Sequence, residues 1–313
     1  MPLDTVLCLD TSGSMAGKGM LELRKAVRQF LAGVQQTAIQ TGLKENVAVV
    51  EFGGGVRIVQ HLTNDYRRVQ RAVDNLKPGG TTPMFEGLME ALKELCQNGG
   101  VLVLPGGIRM TPRVILMTDG KPDNQERVIL AAAAFSREGY REVGLPYPVP
   151  IACVGCGSGV DVALLAAIAA ATNGMFAIGD VSELSAFFLK QVLLIRFALQ
   201  FANDMNKLRN LILLRQFLAQ MGENVSEEEA IALRTLLLAM IVVAADDDSD
   251  DHRPALRAIT AQPSASSHVV YTESTALVNG NNDREVNHCV HCCISMFCPC
   301  WICVWCYVCC KED

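Results

Sequence analysis

The sequence predicts an α/β fold, doubly wound, with a mostly parallel central sheet and helices on both faces. Three observations carry that expectation. Apolar runs alternate with stretches of helical periodicity over residues 1–196. Two of those runs, Val6–Leu9 and Val114–Met117, lead into carboxylates at Asp10 and Asp119, as strands do that end at a ligand-binding edge. A Gly53-Gly54-Gly55 turn between two further runs signals one hairpin, and so one antiparallel edge strand.

The elements follow in order. A strand over 4–10 leads to an amphipathic helix from Gly19 to Thr41, with Leu23, Val27, Phe30, Leu31 and Val34 on one face. Strands 46–52 and 56–60 flank the glycine turn. Helices follow over 65–76 and 84–96. Thr82-Pro83 opens the second, with proline at the first helical position and threonine as its cap. Residues 97–112 read as a Gly/Pro-rich loop. Strand 113–118, helix 124–138, strand 149–154, helix 160–171, strand 174–178 and helix 182–195 complete the pattern.

Beyond residue 196 the pattern changes. Phe197, Phe201, Met205, Leu208 and Leu211 recur at helical spacing. Ser226 with Glu229 forms a capping box that starts a second helix, expected to run to Ala245. Residues 197–245 are therefore expected to form a helical hairpin that packs on the main domain. Its apolar end, Leu236–Ala245, is too short to span a bilayer. The acidic run Asp246–Asp251 opens a polar linker over 246–287, expected to be disordered. A Cys-rich hydrophobic tail occupies 288–313.

Composition excludes some functions. The chain has 313 residues, half of them hydrophobic, and a formal net charge of −6. With no basic stripe, a general nucleic-acid binder is not expected. The first strand begins at once, without a signal peptide, so a cytoplasmic location is expected. Gly13–Gly19 is not a phosphate loop, because Lys18 comes too early and Gly19 stands where a metal-binding hydroxyl belongs. Gly155, Gly157 and Gly159 have the wrong spacing for a dinucleotide fingerprint. Cys153 and Cys156 fall in or beside a strand rather than at a helix start, which makes them core or edge cysteines. No Ser/His/Asp triad is traceable. An enzyme is not expected.

Three places instead bring oxygen donors to strand ends or a helix start. Asp10-Thr11-Ser12-Gly13-Ser14 offers one carboxylate and two hydroxyls at alternate positions. Gly79-Gly80-Thr81-Thr82-Pro83 offers threonines before a helix, and Thr118-Asp119-Gly120 a second carboxylate. Such hard oxygens suit a small hard cation such as Mg²⁺. The bland alternative, a serine turn capping the next helix, does not need Thr82 or Asp119.

This constellation resembles the von Willebrand factor A-type domain and its metal-ion-dependent adhesion site. The resemblance covers about residues 1–196 and implies that Asp10, Ser12, Ser14, Thr82 and Asp119 hold a divalent cation, with Thr81 as the substitute for Thr82. It implies a protein-binding module whose cation leaves one position for an acidic residue of a protein partner. A Mg²⁺-dependent enzyme subunit is the competing class, but no phosphate-cradling loop or general base accompanies the carboxylates.

The tail supplies the second signal. Thirteen cysteines are present, and nine lie between Cys289 and Cys310 among Trp301, Ile302, Trp305 and Tyr307. Three readings compete: thioester-linked acyl chains that bring the protein to a membrane, Zn²⁺ held by Cys and His residues including His288 and His291, which would make the protein a zinc-dependent scaffold with the tail as its recognition element, or a greasy, redox-labile end. A compact zinc fold usually places charged and turn residues between its ligand pairs. Residues 289–310 have almost none, which favours palmitoylation and membrane association.

Overall fold

A computed structural model gives the fold and describes residues 2–156, 159–179 and 181–242. In chain order the elements are β1 (Leu3–Thr11), α1 (Lys18–Thr41), β2 (Glu45–Gly53), β3 (Val56–Thr63), α2 (Tyr66–Asp74) and α3 (Met84–Asn98). There follow β4 (Leu102–Val103), β5 (Arg109–Met110), β6 (Arg113–Thr118), α4 (Gln125–Ala133), β7 (Ile151–Cys156), α5 (Val162–Ala171) and β8 (Phe176–Gly179). Last come α6 (Val181–Gln200), α7 (Met205–Arg209), α8 (Leu211–Gln220), α9 (Glu227–Met240) and β9 (Ile241–Val242).

The main sheet has the order β3-β2-β1-β6-β7-β8. Its pairings are parallel except that of β3 with β2, the hairpin made by the glycine turn. Every residue of β1, β6 and β7 is buried. That is the mark of a sheet covered on both faces, and it explains the continuous apolar runs. Side chains alternate between two cores with the strand period of two. Leu7, Leu9, Ile115 and Met117 join Phe30 of α1 and Phe188 of α6. Val6, Cys8, Val114 and Leu116 join Met84 of α3, Val128 of α4 and Leu165 of α5.

The parity carries on to the functional end. Asp10 continues the Val6–Cys8 face, and Thr118 continues the Val114–Leu116 face. The two therefore meet, and the Thr118 hydroxyl donates to Asp10 Oδ2 at 2.5 Å.

Several boundaries differ from the sequence reading. The helix expected over 124–138 stops at Ala133. Beyond it the amides of Ala134, Phe135 and Ser136 donate three residues back in tight turns. Gly139 then passes so near the Ala133 carbonyl that a Cβ there would lie 2.3 Å from it. At α3 the cap position belongs to Pro83, with no side-chain cap, so the Thr82 hydroxyl is not spent on the helix. The strand expected over 56–60 extends to Thr63.

Within the expected loop 97–112 lie β4 and β5, which pair with each other and with β9 in a small antiparallel sheet. The segment read as a two-helix hairpin holds the end of α6 and then α7, α8 and α9. The helical spacing across 197–211 is interrupted because Asp204 caps a new helix, accepting from the amides of Asn206 and Lys207. Ser226 does cap α9, accepting from the Glu229 amide. That helix ends at Met240, whose carbonyl accepts from Thr111, and the chain turns into β9.

Leu208, Leu214, Leu218, Leu233, Leu236, Leu237 and Met240 all lie in the core shared with Phe30 and Met110. The end expected at Ala245, the linker 246–287, the tail 288–313 and Gly157 lie outside the described residues.

Candidate metal centre

The site forms where loops at the carboxyl edge of the sheet converge. Asp10, next to last in β1, is fully buried. Its Oδ1 accepts the Ser12 amide at 2.7 Å and its Oδ2 the Thr118 hydroxyl. The first of these is an Asx-type turn, the local bond expected of Asp at a strand end. It aims the next two hydroxyls across the loop. Ser12 Oγ lies 3.0 Å from Ser14 Oγ, and Ser14 Oγ donates to Asp119 Oδ1 at 2.8 Å. A continuous chain thus runs from β1 to the residue following β6.

The threonine loop is drawn in by backbone contacts. Gly79 N–H donates to the Thr11 carbonyl at 2.7 Å, and Gly13 N–H to the Gly80 carbonyl at 3.1 Å. Gly80 has φ +76°, and a Cβ there would lie 2.6 Å from the Gly53 carbonyl oxygen. Only glycine allows this loop to rest on the β2–β3 turn.

Thr82 is buried, and its hydroxyl makes no hydrogen bond among the described residues. A Cβ built on Gly120 would be 3.7 Å from Ser14 Oγ and 3.8 Å from Thr82 Oγ1. The space that a Gly120 side chain would fill is therefore a gap bordered by both hydroxyl oxygens.

Burial raises the Asp10 carboxyl above its ordinary value. The hydrogen bonds from Ser12 and Thr118 pull it down, and the Asp119 charge pushes it up again. No cation is among the groups that act on it. A buried carboxylate facing a second one is costly unless positive charge joins them.

The donor set, two carboxylates and three hydroxyls, offers oxygen alone, which fits a hard cation and not one that prefers sulfur or imidazole. Among the described residues there is no group of three or more His, Cys, Asp and Glu placed to hold a metal. The Ser and Thr hydroxyls would therefore join the two carboxylates in any shell here, with water completing it.

All five residues singled out from the sequence stand at this edge. Asp10, Ser12, Ser14 and Asp119 are linked by hydrogen bonds, and Thr82 faces the same gap. Thr81 does not face it: its hydroxyl donates to Asp123 Oδ2 at 2.6 Å.

Asp123 and Thr118 were not foreseen. Thr118 was detectable, since it shares the face of Asp10 by strand parity. Asp123 sits in a polar turn where nothing in the sequence sets it apart. Cys153 and Cys156 are buried in β7, and burial pushes the Cys156 thiol up to about 12. That makes it a poor redox nucleophile.

Beside Thr82 a cavity of about 200 Å³ opens, lined by Pro83, Phe85, Glu86, Asp123 and Arg127 among others. The Arg127 guanidinium lies 4.0 Å over the Phe85 ring and pairs with Glu86 at 2.9 Å.

Comparison with known proteins finds similarity over the part of the chain that bears this edge. Residues 5–121 match the model of the von Willebrand factor type A domain. A UPF0353 protein of Nocardia farcinica is 32% identical over 131 residues, 39% of this chain and 36% of that one. A second, from Mycolicibacterium gilvum, is 28% identical over 160 residues, 49% of this chain and 44% of its own. The chain spans less than half the length of these curated relatives.

Among solved structures, a von Willebrand factor type A protein from Catenulispora acidiphila aligns with TM-score 0.48 and 22% identity, over 61% of this chain and 42% of the other. Manganese-loaded TRAP protein of Plasmodium vivax aligns with TM-score 0.44 and 21% identity, over 61% and 73%. The matched segment spans β1 to the turn after β6 and contains Asp10, Ser12, Ser14, Thr82 and Asp119; over those residues the chain matches the von Willebrand factor type A domain.

Proposed function

We propose that this protein is a divalent-metal-dependent protein-binding module and not an enzyme, with Mg²⁺ or another divalent cation at a metal-ion-dependent adhesion site. The observation that carries the reading is the convergence of Asp10, Ser12, Ser14, Thr82 and Asp119 around the gap at Gly120. Ser12, Ser14 and Thr82 would hold the cation through hydroxyl oxygens, and Asp10 and Asp119 would supply charge, directly or through water. With one or both carboxylates acting through water, the protein neutralises a divalent ion incompletely and does not fill its shell, which leaves a position for an acidic side chain of a protein partner. The adjoining cavity of about 200 Å³ is smaller than sites that enclose drug-sized ligands, and its size suits one further side chain of that partner.

The test is affinity capture by the full chain in Mg²⁺ and in EDTA, beside Asp10→Ala. Retention of a partner only in Mg²⁺, lost in Asp10→Ala, is expected. Binding indifferent to both EDTA and the substitution would overturn the reading.

The reading extends to location: a cytoplasmic protein brought to membranes by acyl chains on the Cys289–Cys310 cluster. Each buried acyl CH₂ adds about 0.8 kcal/mol, and one chain anchors only marginally, so two or more are needed. No described helix is long and apolar enough to cross a membrane. Deleting 288–313 should move the protein to the soluble fraction, and hydroxylamine should release acyl label from the intact chain. A soluble full-length protein carrying stoichiometric zinc, lost on the same deletion, would replace this with a zinc-bound tail.

A further inference from the structure

We infer that Asp123 is a positioning residue for the cation site: it clips the threonine loop to the loop after β6, so that the Thr82 hydroxyl and the Asp119 carboxylate are presented together. The inference rests on the metal reading above and deepens it.

Three hydrogen bonds make the clip. Asp123 Oδ1 accepts the Thr82 amide at 3.0 Å, Oδ2 accepts the Thr81 hydroxyl at 2.6 Å, and the Asp123 amide donates to the Thr82 carbonyl at 3.1 Å. Both carboxylate oxygens are thus taken by two neighbouring residues, while the main chain closes a ring with the second. A carboxylate held in this way fixes the orientation of the Thr81–Thr82 peptide, and with it the direction of the Thr82 side chain.

Two consequences follow for the site. The Thr81 hydroxyl is committed to Asp123, so of the two adjacent threonines only Thr82 offers its oxygen to the gap. The clip also joins parts of the site far apart in sequence. Besides it, the backbone hydrogen bonds that hold the loop bearing Thr82 among the described residues are Gly79–Thr11 and Gly13–Gly80, and neither ties it to the loop bearing Asp119. Groups that orient metal ligands without touching the metal typically change affinity 10–100-fold when removed. Asp123 is exposed, so the effect should fall on metal affinity rather than on the stability of the fold.

The experiment is calorimetric titration of Mg²⁺ into the full chain, with melting temperature measured in EDTA as the second readout. Asp123→Ala should weaken Mg²⁺ binding about 10–100-fold with little change in melting temperature. Asp123→Asn keeps one acceptor oxygen, and Thr81→Val removes one donor; each should weaken binding by less. Asp10→Ala should abolish it.

Unchanged Mg²⁺ affinity in Asp123→Ala, with normal binding by the unaltered chain, overturns the clip and leaves the metal site standing. Should Asp123→Ala fail to fold, wild-type affinity in both Asp123→Asn and Thr81→Val overturns it equally. Absence of Mg²⁺ binding in the unaltered chain refutes the metal reading and the clip with it.

Discussion

Replacing Glu45 by alanine tests the energetics of the fold at the end of the sheet away from the cation site. Arg113, the first residue of β6, is 0% exposed and sits inside the sheet–helix core. Its Nη2 pairs with Glu45 Oε1 at 2.8 Å, its Nε donates to Thr5 Oγ1 at 3.0 Å, and its Nη1 donates to the Gln191 carbonyl and side-chain oxygens at 3.2 and 3.3 Å. The Thr5 hydroxyl in turn donates to Glu45.

Glu45→Ala takes away the only counter-charge the guanidinium has in this network and leaves it buried on neutral acceptors. Removing one partner of such a pair costs about 3–5 kcal/mol, most of it the penalty of the orphaned charge. At about 2–4 °C per kcal/mol for a domain of this size, the melting temperature should fall by roughly 6–20 °C. Glu45→Gln keeps an acceptor and should lose less. The pair Glu45→Met with Arg113→Met should recover most of the loss, because no unpaired charge remains.

Urea denaturation followed by circular dichroism in EDTA provides the measurement. Mg²⁺ affinity should be unchanged, since the cluster lies the length of β6 from Asp119. A loss below about 1 kcal/mol in Glu45→Ala would mean that water reaches the guanidinium, and the burial argument would fail.

Other expectations follow from the same geometry. Asp10→Asn should abolish Mg²⁺-induced stabilisation, which for the unaltered chain is about 2.7 kcal/mol at a hundredfold excess over Kd. In EDTA the sign reverses. The folded-state pKa of Asp10 is raised, so its contribution is fully present below the unfolded value of 3.8 and lost as pH rises through the raised one. Asp10→Asn should then be at least as stable as the unaltered chain at pH 7 in EDTA, and a clear destabilisation in urea curves would refute this.

Gly53→Ala should cost about 1–3 kcal/mol by denaturation and weaken Mg²⁺ binding, since its Cβ would lie 2.4 Å from the Thr11 carbonyl carbon and push on the strand that bears Asp10. Truncation after Gln200 removes eight buried core side chains from Leu208 to Met240, each contributing about 1.5–3 kcal/mol of burial. The fragment should aggregate or fail to fold, and a monomeric, cooperatively melting one would refute the integral packing of α7–α9.

The sheet and most of the site were legible because their signals are local. Val6–Leu9 and Val114–Met117 are buried on both faces, so burial itself writes them as unbroken apolar runs. Asp10, Ser12 and Ser14 lie within one turn of chain, and Asp119 ends a run of the same kind. What escaped notice depends on contacts between distant segments. β4, β5 and β9 are two residues each, too short for any periodicity, and they exist only because 102–110 meets 241–242 in space. The early end of α4 is set by a close approach at Gly139, not by a breaker in the apolar pattern. Asp123 resembles any loop carboxylate until Thr81 and Thr82 are placed against it. Arg113 reads as an interruption at a strand start; its partners Glu45 and Gln191 come from other elements.

The small sheet of β4, β5 and β9 also gives the molecule a front and a back. β9 is held against β5, which runs into β6 through Thr111 and Pro112 at the amino end of that strand. Asp119 stands at the other end, six residues on, or about 20 Å along a strand rising about 3.3 Å per residue. Val242, at the end of β9, therefore stands on the side of the domain opposite the hydroxyls and carboxylates. The stitching of β9 and the edge bearing Asp10, Thr82 and Asp119 are thus separate faces of the domain, and a change at one need not reach the other.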